Sequence, residues 1–312
     1  NMKTIVFATS NANKLKEMKQ ILKDVKLLSL KDIGFSDEID ETGTTFLANA
    51  LIKAQTIYSY LEKNGNPMPV LAEDSGLEVN ALEGAPGIFS ARYSATDTEP
   101  ATSEKNRKKL LDEMEGIVNR KANFTATEVL YSSPDDIKFA VGKTFGEISY
   151  AESGDLSFGY DPIFYSYDLE DKFSEVSLEE KDSVSHRNRA IISLLNNPTN
   201  IYMMNLNPEY YNLVANGEKT IEVRLLDEKR QKLREGDYLA FTNTSNGDIT
   251  VTQIVSLAKF KDFNSCITNT GTKKVGFNGS SIEDTVKVYN SIYSKVDEEK
   301  YGVLAIGLTL LK

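Results

Sequence analysis

Thr4-Ile5-Val6-Phe7-Ala8-Thr9, followed directly by Ser10-Asn11-Ala12-Asn13-Lys14, is the stretch that decides how this chain is read. A short apolar run bounded by small polar turn formers reads as a buried strand. Beyond it, Leu15, Met18, Ile21 and Leu22 recur at helical spacing. The chain therefore opens with a strand, a tight polar loop and a helix. Such a loop delivers unpaired backbone N–H groups and the positive end of a helix dipole, which favour an anion. Thr9, Ser10, Asn11 and Lys14 suit a polyphosphate, and an Asn-rich turn with a solvated lysine is the plain alternative. The loop lacks the glycines and the Lys-Ser/Thr pair of a P-loop.

Further along, a helix follows Gly43, with Phe46, Leu47, Ala50, Ala54, Ile57, Tyr58 and Leu61 on one face, and it stops at the breaker Asn64-Gly65-Asn66-Pro67. Val70-Leu71-Ala72 reads as a strand that ends in Glu73-Asp74-Ser75-Gly76. Helical patterns recur over residues 103–114 and 185–195, with strand patterns over 123–131 and 137–141. This alternation indicates an α/β domain. Asn196-Asn197-Pro198-Thr199-Asn200 is a polar break, and the domains are drawn as 2–199 and 200–312. The second half has one helix candidate at 208–216 and strand patterns at 201–206, 238–242, 249–257 and 303–310, which suggests a small β-rich domain.

The 312 residues fit two domains on length alone. Net charge is −10, from 36 Lys+Arg against 46 Asp+Glu. The surplus is confined to the first half, where 32 acids face 22 bases; the second half has 14 of each. That distribution argues against nucleic-acid binding by the first domain, because phosphate attraction dominates such affinity. A nucleotide substrate remains open, since a divalent metal can sit between carboxylates and phosphates. Lys229-Arg230-Gln231-Lys232-Leu233-Arg234 is the densest basic run and keeps RNA open for the second half. With Cys266 as the sole cysteine there is no disulfide within the chain and no cysteine-based zinc cluster, which suits a reducing, cytoplasmic setting. No apolar run approaches the roughly 20 residues that span a bilayer. Asn1 before Met2 reads as a processing remnant.

Three further clusters carry chemistry. Glu38, Asp40 and Glu41 precede a helix, and Glu73-Asp74 close a strand. Together they could converge on one hard cation or orient a water, whereas helix-start acids and a turn-capping Asp74 are the bland alternative. Ser185-His186-Arg187 places the single histidine at a helix start, where a His-Arg pair could read a carbonyl oxygen or a phosphate. Phe158-Gly159-Tyr160-Asp161-Pro162 offers aromatics for stacking on a purine, or simply a packed turn.

Taken in order, Thr9–Lys14, Glu41-Thr42-Gly43-Thr44-Thr45-Phe46, Glu73-Asp74-Ser75-Gly76-Leu77, Gly84-Ala85-Pro86-Gly87, Phe158–Pro162 and Ser185–Arg187 resemble the motifs of the inosine triphosphate / dITP–XTP pyrophosphatase family over about residues 2–197. The resemblance implies a two-lobed mixed-sheet α/β domain that acts as a homodimer on ITP, dITP and XTP. It also implies hydrolysis to the monophosphate and pyrophosphate. By the same resemblance Thr9, Ser10, Asn11 and Lys14 cradle the triphosphate, Glu41 and Asp74 bind Mg²⁺, and Asp74 is the general base. Ser75, Phe158, Gly159, Tyr160 and Asp161 would contact substrate, and Lys181, His186 and Arg187 would read the purine. Ser10 stands where the family usually has glycine, so crowding or a strained backbone angle is expected if φ there is positive.

The second half resembles an ASCH domain of the PUA-like superfamily, through Gly217-Glu218-Lys219-Thr220-Ile221-Glu222-Val223-Arg224, Gly236-Asp237 and Tyr301-Gly302-Val303. The resemblance implies a small β-barrel with a cleft for RNA or a modified nucleoside, with Lys219, Glu222 and Arg224 as cleft candidates. A Glu222–Arg224 surface pair beside a solvated lysine is the alternative. A protein dominated by this domain, associated with RNA rather than enzymatic, is the competing functional reading.

Overall fold

The computed structural model describes residues 2–311; Asn1, read above as a remnant, and Lys312 lie outside them. The chain divides into two compact units, one up to Thr199 and one from Asn200.

The first unit runs β1 (Lys3–Phe7), α1 (Ala12–Ile21), β2 (Val25–Leu28), α2 (Phe46–Lys63), β3 (Val70–Val79), α3 (Ser103–Glu113), β4 (Lys121–Ser133), β5 (Asp136–Ile148), β6 (Phe164–Ser166), β7 (Asp171–Lys172), α4 (Leu178–Val184) and α5 (His186–Asn196). Its strands lie in the order β2-β1-β3-β4-β5, with β6 on β5 and β7 on β6. β1 is parallel to β2 and β3, whereas β3, β4 and β5 are antiparallel, so the sheet is mixed. The apolar stripe of α2 is buried at Leu47, Ala50, Leu51, Ala54, Ile57, Tyr58 and Leu61, each large side chain contributing about 1.5–3 kcal/mol.

One element differs from the sequence reading in a way that matters for the site. β3 does not end at Glu73. It stays paired with β4 from Val70↔Tyr131 to Val79↔Ala122. Asp74-Ser75-Gly76 is therefore mid-strand, and a turn-capping role for Asp74 is excluded. Strand alternation sends Glu73 and Ser75 to one face and Asp74 to the other. On β5, a Cβ at Gly142 would meet His186 O and Ala190 N at 2.2 Å, so the glycine is what lets α5 lie directly on the sheet.

The second unit runs β8 (Thr199–Leu206), α6 (Pro208–Ala215), β9 (Ile221–Leu225), β10 (Tyr238–Asn243), β11 (Ile249–Phe260), α7 (Phe263–Thr270), α8 (Ile282–Ile292), α9 (Lys295–Tyr301) and β12 (Val303–Leu310). Its strands follow the path β8-β10-β11-β12-β9. Among the described residues no ladder returns from β9 to β8; Arg224 Nη2 instead donates to Asn205 O at 3.1 Å between the two end strands. Three helices, α7 to α9, were missed in the sequence. They are 7 to 11 residues long, and side-chain caps from Asp262, Ser281 and Ser294 start them. α7 and α9 are short, with few apolar residues, and give little periodic signal, whereas α8 carries Ile282, Val286, Tyr289 and Ile292 at helical spacing, a pattern the sequence reading passed over. Cys266 is buried on α7, and burial pushes its thiol up to about 12, so it is inert at neutral pH. No helix among the described residues is long and apolar enough to cross a membrane.

Candidate active site

The loop after β1 is shaped by its own side chains. Asn11 Oδ1 accepts from Asn13 N at 3.0 Å and Lys14 N at 3.1 Å, capping α1, and Thr9 Oγ1 accepts from Asn11 N at 3.1 Å. The Asn11 carbonyl oxygen is thus occupied by the cap. Ser10 is exposed, and among the described residues the non-glycine residues at positive φ are Glu83 and Glu170, so serine at position 10 carries no backbone strain. Lys14 extends from the first turn of α1 to within 3.2 Å of Glu73 Oε2.

Behind this loop lies a chain of buried charges. Arg187 Nη2 donates to Glu73 Oε2 at 2.9 Å, and its Nη1 pairs with Glu17 Oε2. Lys181 Nζ joins Glu17 Oε1 at 2.9 Å to Asp161 Oδ2 at 2.7 Å. All five side chains are less than a tenth exposed. Burial opposes the charge on Glu73, but Arg187 and Lys14 hold its carboxyl well below the usual range. Glu128 sits opposite Glu73 on β4; burial and the Glu73 charge hold it well above that range, so it keeps its proton. Lys181 and Arg187 are therefore committed to carboxylates, and they act on a ligand as the rigid wall of a pocket. Glu17 was missed in the sequence because a lone acid on a lysine-rich helix carries no signal until the fold buries it.

A cavity of about 470 Å³ opens against this wall. Asn11, Lys14, Ser75, Phe158, Gly159, Tyr160, Asp161, Lys181, His186 and Arg187 line it; Thr9, Ser10, Glu41 and Asp74 do not. The His186 ring stacks on Phe124, with centroids 5.0 Å apart and an interplanar angle of 17°. Burial, reinforced by the neighbouring Arg187, holds the imidazole well below its usual range, and its Nδ1 has no partner. A neutral histidine with an unused ring nitrogen can read one polar group on a base. Phe158 is half-buried, with the Lys181 ammonium 4.7 Å from its ring centroid. Arg107, unremarked in the sequence, donates to Gly159 O at 2.8 Å and pairs with Glu152 at 2.7 Å, fixing the Phe158-Gly159 turn.

Tyr160 differs from its neighbour. Its ring is buried and its hydroxyl donates to Ser90 O at 2.6 Å, so it closes the pocket rather than offering a free stacking face. Tyr160→Phe is expected to cost about 1 kcal/mol of stability. Urea unfolding followed by circular dichroism checks this, with preference among bases unchanged; a shift in preference at constant stability would assign the hydroxyl to substrate.

The remaining two candidates meet on the other face of β3. Lys53 of α2 places Nζ 2.7 Å from Glu41 Oε1 and 4.0 Å from Asp74 Oδ1. Glu41 lies four residues before Thr45, the N-cap of α2, and so is not a helix-start acid; its loop is pinned where Gly43 N donates to Asn49 Oδ1 at 2.8 Å. Asp74 Oδ2 is buried with no hydrogen-bond partner. Burial pushes the Asp74 carboxyl up to about 6, with Glu41 adding to the effect and Lys53 opposing it. Arg92 Nη1 lies 3.8 Å from the other Glu41 oxygen. Two carboxylates around the Lys53 ammonium, one with an orphaned oxygen, fit a hard divalent cation that takes its other ligands from water and phosphate. Among the described residues no third acid, histidine or cysteine joins them, so most of the coordination sphere would come from outside the protein.

In the second unit Lys219, Glu222 and Arg224 all line one cavity of about 230 Å³. They are not a surface pair with a solvated lysine: Lys219 and Glu222 are buried.

Residues 5–197 match the model of the Ham1 family, and residues 204–312 match that of the ASCH domain. A dITP/XTP pyrophosphatase of Clostridium tetani is 43% identical over 192 residues, covering 61% of this chain and 93% of the relative. One from Desulfotalea psychrophila is 42% identical, covering 61% and 82%. The solved structure of the Staphylococcus aureus Ham1 protein superposes with a TM-score of 0.54 at 35% identity, covering 62% of this chain and 96% of that one.

Proposed function

Because the chain belongs to the Ham1 family and carries an ASCH domain after the family's own region, we propose that it hydrolyses non-standard purine nucleoside triphosphates such as ITP, dITP and XTP to the monophosphate and pyrophosphate. The relatives' pyrophosphatase names support the reaction class. The observation that carries the reading is the buried Asp74 Oδ2, without a hydrogen-bond partner, beside Glu41 and Lys53, set across β3 from a pocket with room for more than a base.

The chain's own residues divide the work. Lys14, with its ammonium at the pocket edge, neutralises phosphate charge. Glu41 and Asp74 are the residues to hold Mg²⁺, which when bound supplies charge stabilisation to the leaving pyrophosphate. Asp74 orients a water for in-line attack at the α-phosphorus and accepts its proton, and the β-phosphate oxygen departs with the bonding pair. His186 and the Phe158 turn receive the base. The Lys181 and Arg187 cations, held by their carboxylates, act on the base through the positive charge they place at the pocket wall, which favours a carbonyl oxygen at position 6 over the amino group of adenine. A homodimer through the first domain and a cytoplasmic role in clearing the nucleotide pool belong to the same proposal, by family resemblance. The competing RNA-associated reading gives no account of the Asp74 environment.

The test is pyrophosphate release from ITP, dITP, XTP, ATP and GTP, with Mg²⁺ and with chelator. Turnover of the first three well above the last two, lost in chelator, is expected; equal rates on all five would reject the substrate class.

A further inference from the structure

The cavity of the second unit lies outside the catalytic pocket and contains an unused recognition element. Glu222 is only 4% exposed and its Oε2 has no hydrogen-bond partner. A cation stands at each of its oxygens. Lys219 Nζ lies 3.5 Å from Oε2, and Arg224 Nε lies 3.3 Å from Oε1. Both cations have N–H groups to spare. Lys219 carries three and donates one to Val275 O at 2.9 Å, whereas Arg224 carries five and uses Nε on Glu222, Nη2 on Asn205 O and a further N–H on the Tyr293 hydroxyl. Lys219, Glu222 and Arg224 thus present donor, acceptor, donor in sequence. The walls beside this array are aromatic: Tyr210, Phe277, Tyr289 and Tyr293. Tyr210 and Phe277 are 5.5 Å apart, and Phe277 and Tyr289 are 5.8 Å apart. At about 230 Å³ the space is below that of a drug-sized ligand and suits one heterocycle.

We propose that this cavity binds a flat heterocycle with an imide edge, carbonyl–NH–carbonyl, such as the base of uridine. The two ligand carbonyls accept from Lys219 and Arg224, the ring N–H donates to Glu222 Oε2, and the ring lies among the aromatic walls. The buried carboxylate then gains the partner it lacks, and neither cation must give up its bond to the backbone. Cytosine presents an acceptor where the N–H is required and meets Glu222 with repulsion. Adenine offers one acceptor where two are needed.

The experiment uses the full chain and nucleosides without phosphates, which keeps triphosphate hydrolysis out of the readout. Calorimetric titration with uridine should give saturable binding. 3-Methyluridine, which keeps the shape and loses the N–H, should bind at least about tenfold more weakly, as expected for one charge-assisted hydrogen bond, and cytidine likewise. Photocrosslinking with 5-iodouridine followed by peptide mapping should mark Tyr210, Phe277, Tyr289 or Tyr293. Glu222→Leu, which removes the acceptor, should abolish the preference for uridine over 3-methyluridine, and Glu222→Gln, which keeps one amide oxygen, should reduce it. Equal binding of uridine and 3-methyluridine, crosslinks confined to Phe124 or Phe158, or no binding of uridine would each overturn the proposal. None of these results bears on pyrophosphate release, so the two readings fail separately.

Discussion

Asp74→Asn is expected to lower turnover by about 10³-fold and, in metal-free buffer at neutral pH, to make the protein more stable. On the proposed roles of Asp74, the loss of activity follows from removing both the proton acceptor and a charged metal ligand from one position. The gain in stability follows from the burial of Asp74. In the folded protein its carboxyl is pushed up from the ordinary 3.8 to about 6. A raised carboxyl favours the folded state only while protonated, so this contribution is complete below pH 3.8 and is lost as pH rises through about 6. Above that, the fold carries an ionised carboxylate it would rather not hold. At 1.36 kcal/mol per unit the penalty is about 2–3 kcal/mol, and the neutral isostere removes it. Chemical denaturation with chelator at pH 4 and pH 7 checks the sign: the variant should gain at pH 7 and match the parent at pH 4. Turnover above a tenth of the parent's would reject Asp74 as the base, and a loss of stability at pH 7 would reject the desolvation argument.

Arg187→Met should produce the largest loss of stability in the first unit, about 3–5 kcal/mol. The guanidinium is buried between Glu73 and Glu17, and removing it leaves two carboxylates where water cannot reach, with Lys14 and Lys181 as their remaining partners. Glu128 already keeps its proton next to Glu73, so the loss of Arg187 should drive Glu73 toward protonation too. Adding Glu73→Gln to Arg187→Met should therefore recover part of the loss, because one orphaned charge is then gone. Urea unfolding of the two variants, read at the transition of the first unit, measures both steps. A loss under about 1 kcal/mol, or no recovery in the double variant, would show that the chain of charges does not hold this wall together.

Much of the site was legible in the sequence because its residues come in short motifs whose local structure is set locally. The Thr9–Lys14 loop, the Ser185-His186-Arg187 helix start and the Phe158–Pro162 turn all lie where their turn residues and caps place them. Glu17, Lys53, Arg107 and Glu128 were not legible. Each is an ordinary charged residue on a helix or strand, and it becomes part of the site only through a partner 12 to 170 positions away.

By itself the sequence determined the two-part organisation, the acidic first half and the motifs proposed for phosphate and base recognition, because apolar periodicity, turn chemistry and charge are local properties of the chain. Only the tertiary structure decided that Asp74 lies mid-strand on the face opposite the cavity lined by Ser75 and His186, since that depends on β3 pairing with β4 as far as Val79. It alone decided which charges are free to act. Lys181 and Arg187 carry the same charge as Lys14, but they are buried against carboxylates, whereas Lys14 is partly exposed at the pocket edge. Burial and pairing are set by contacts between distant segments, and no window of sequence contains them.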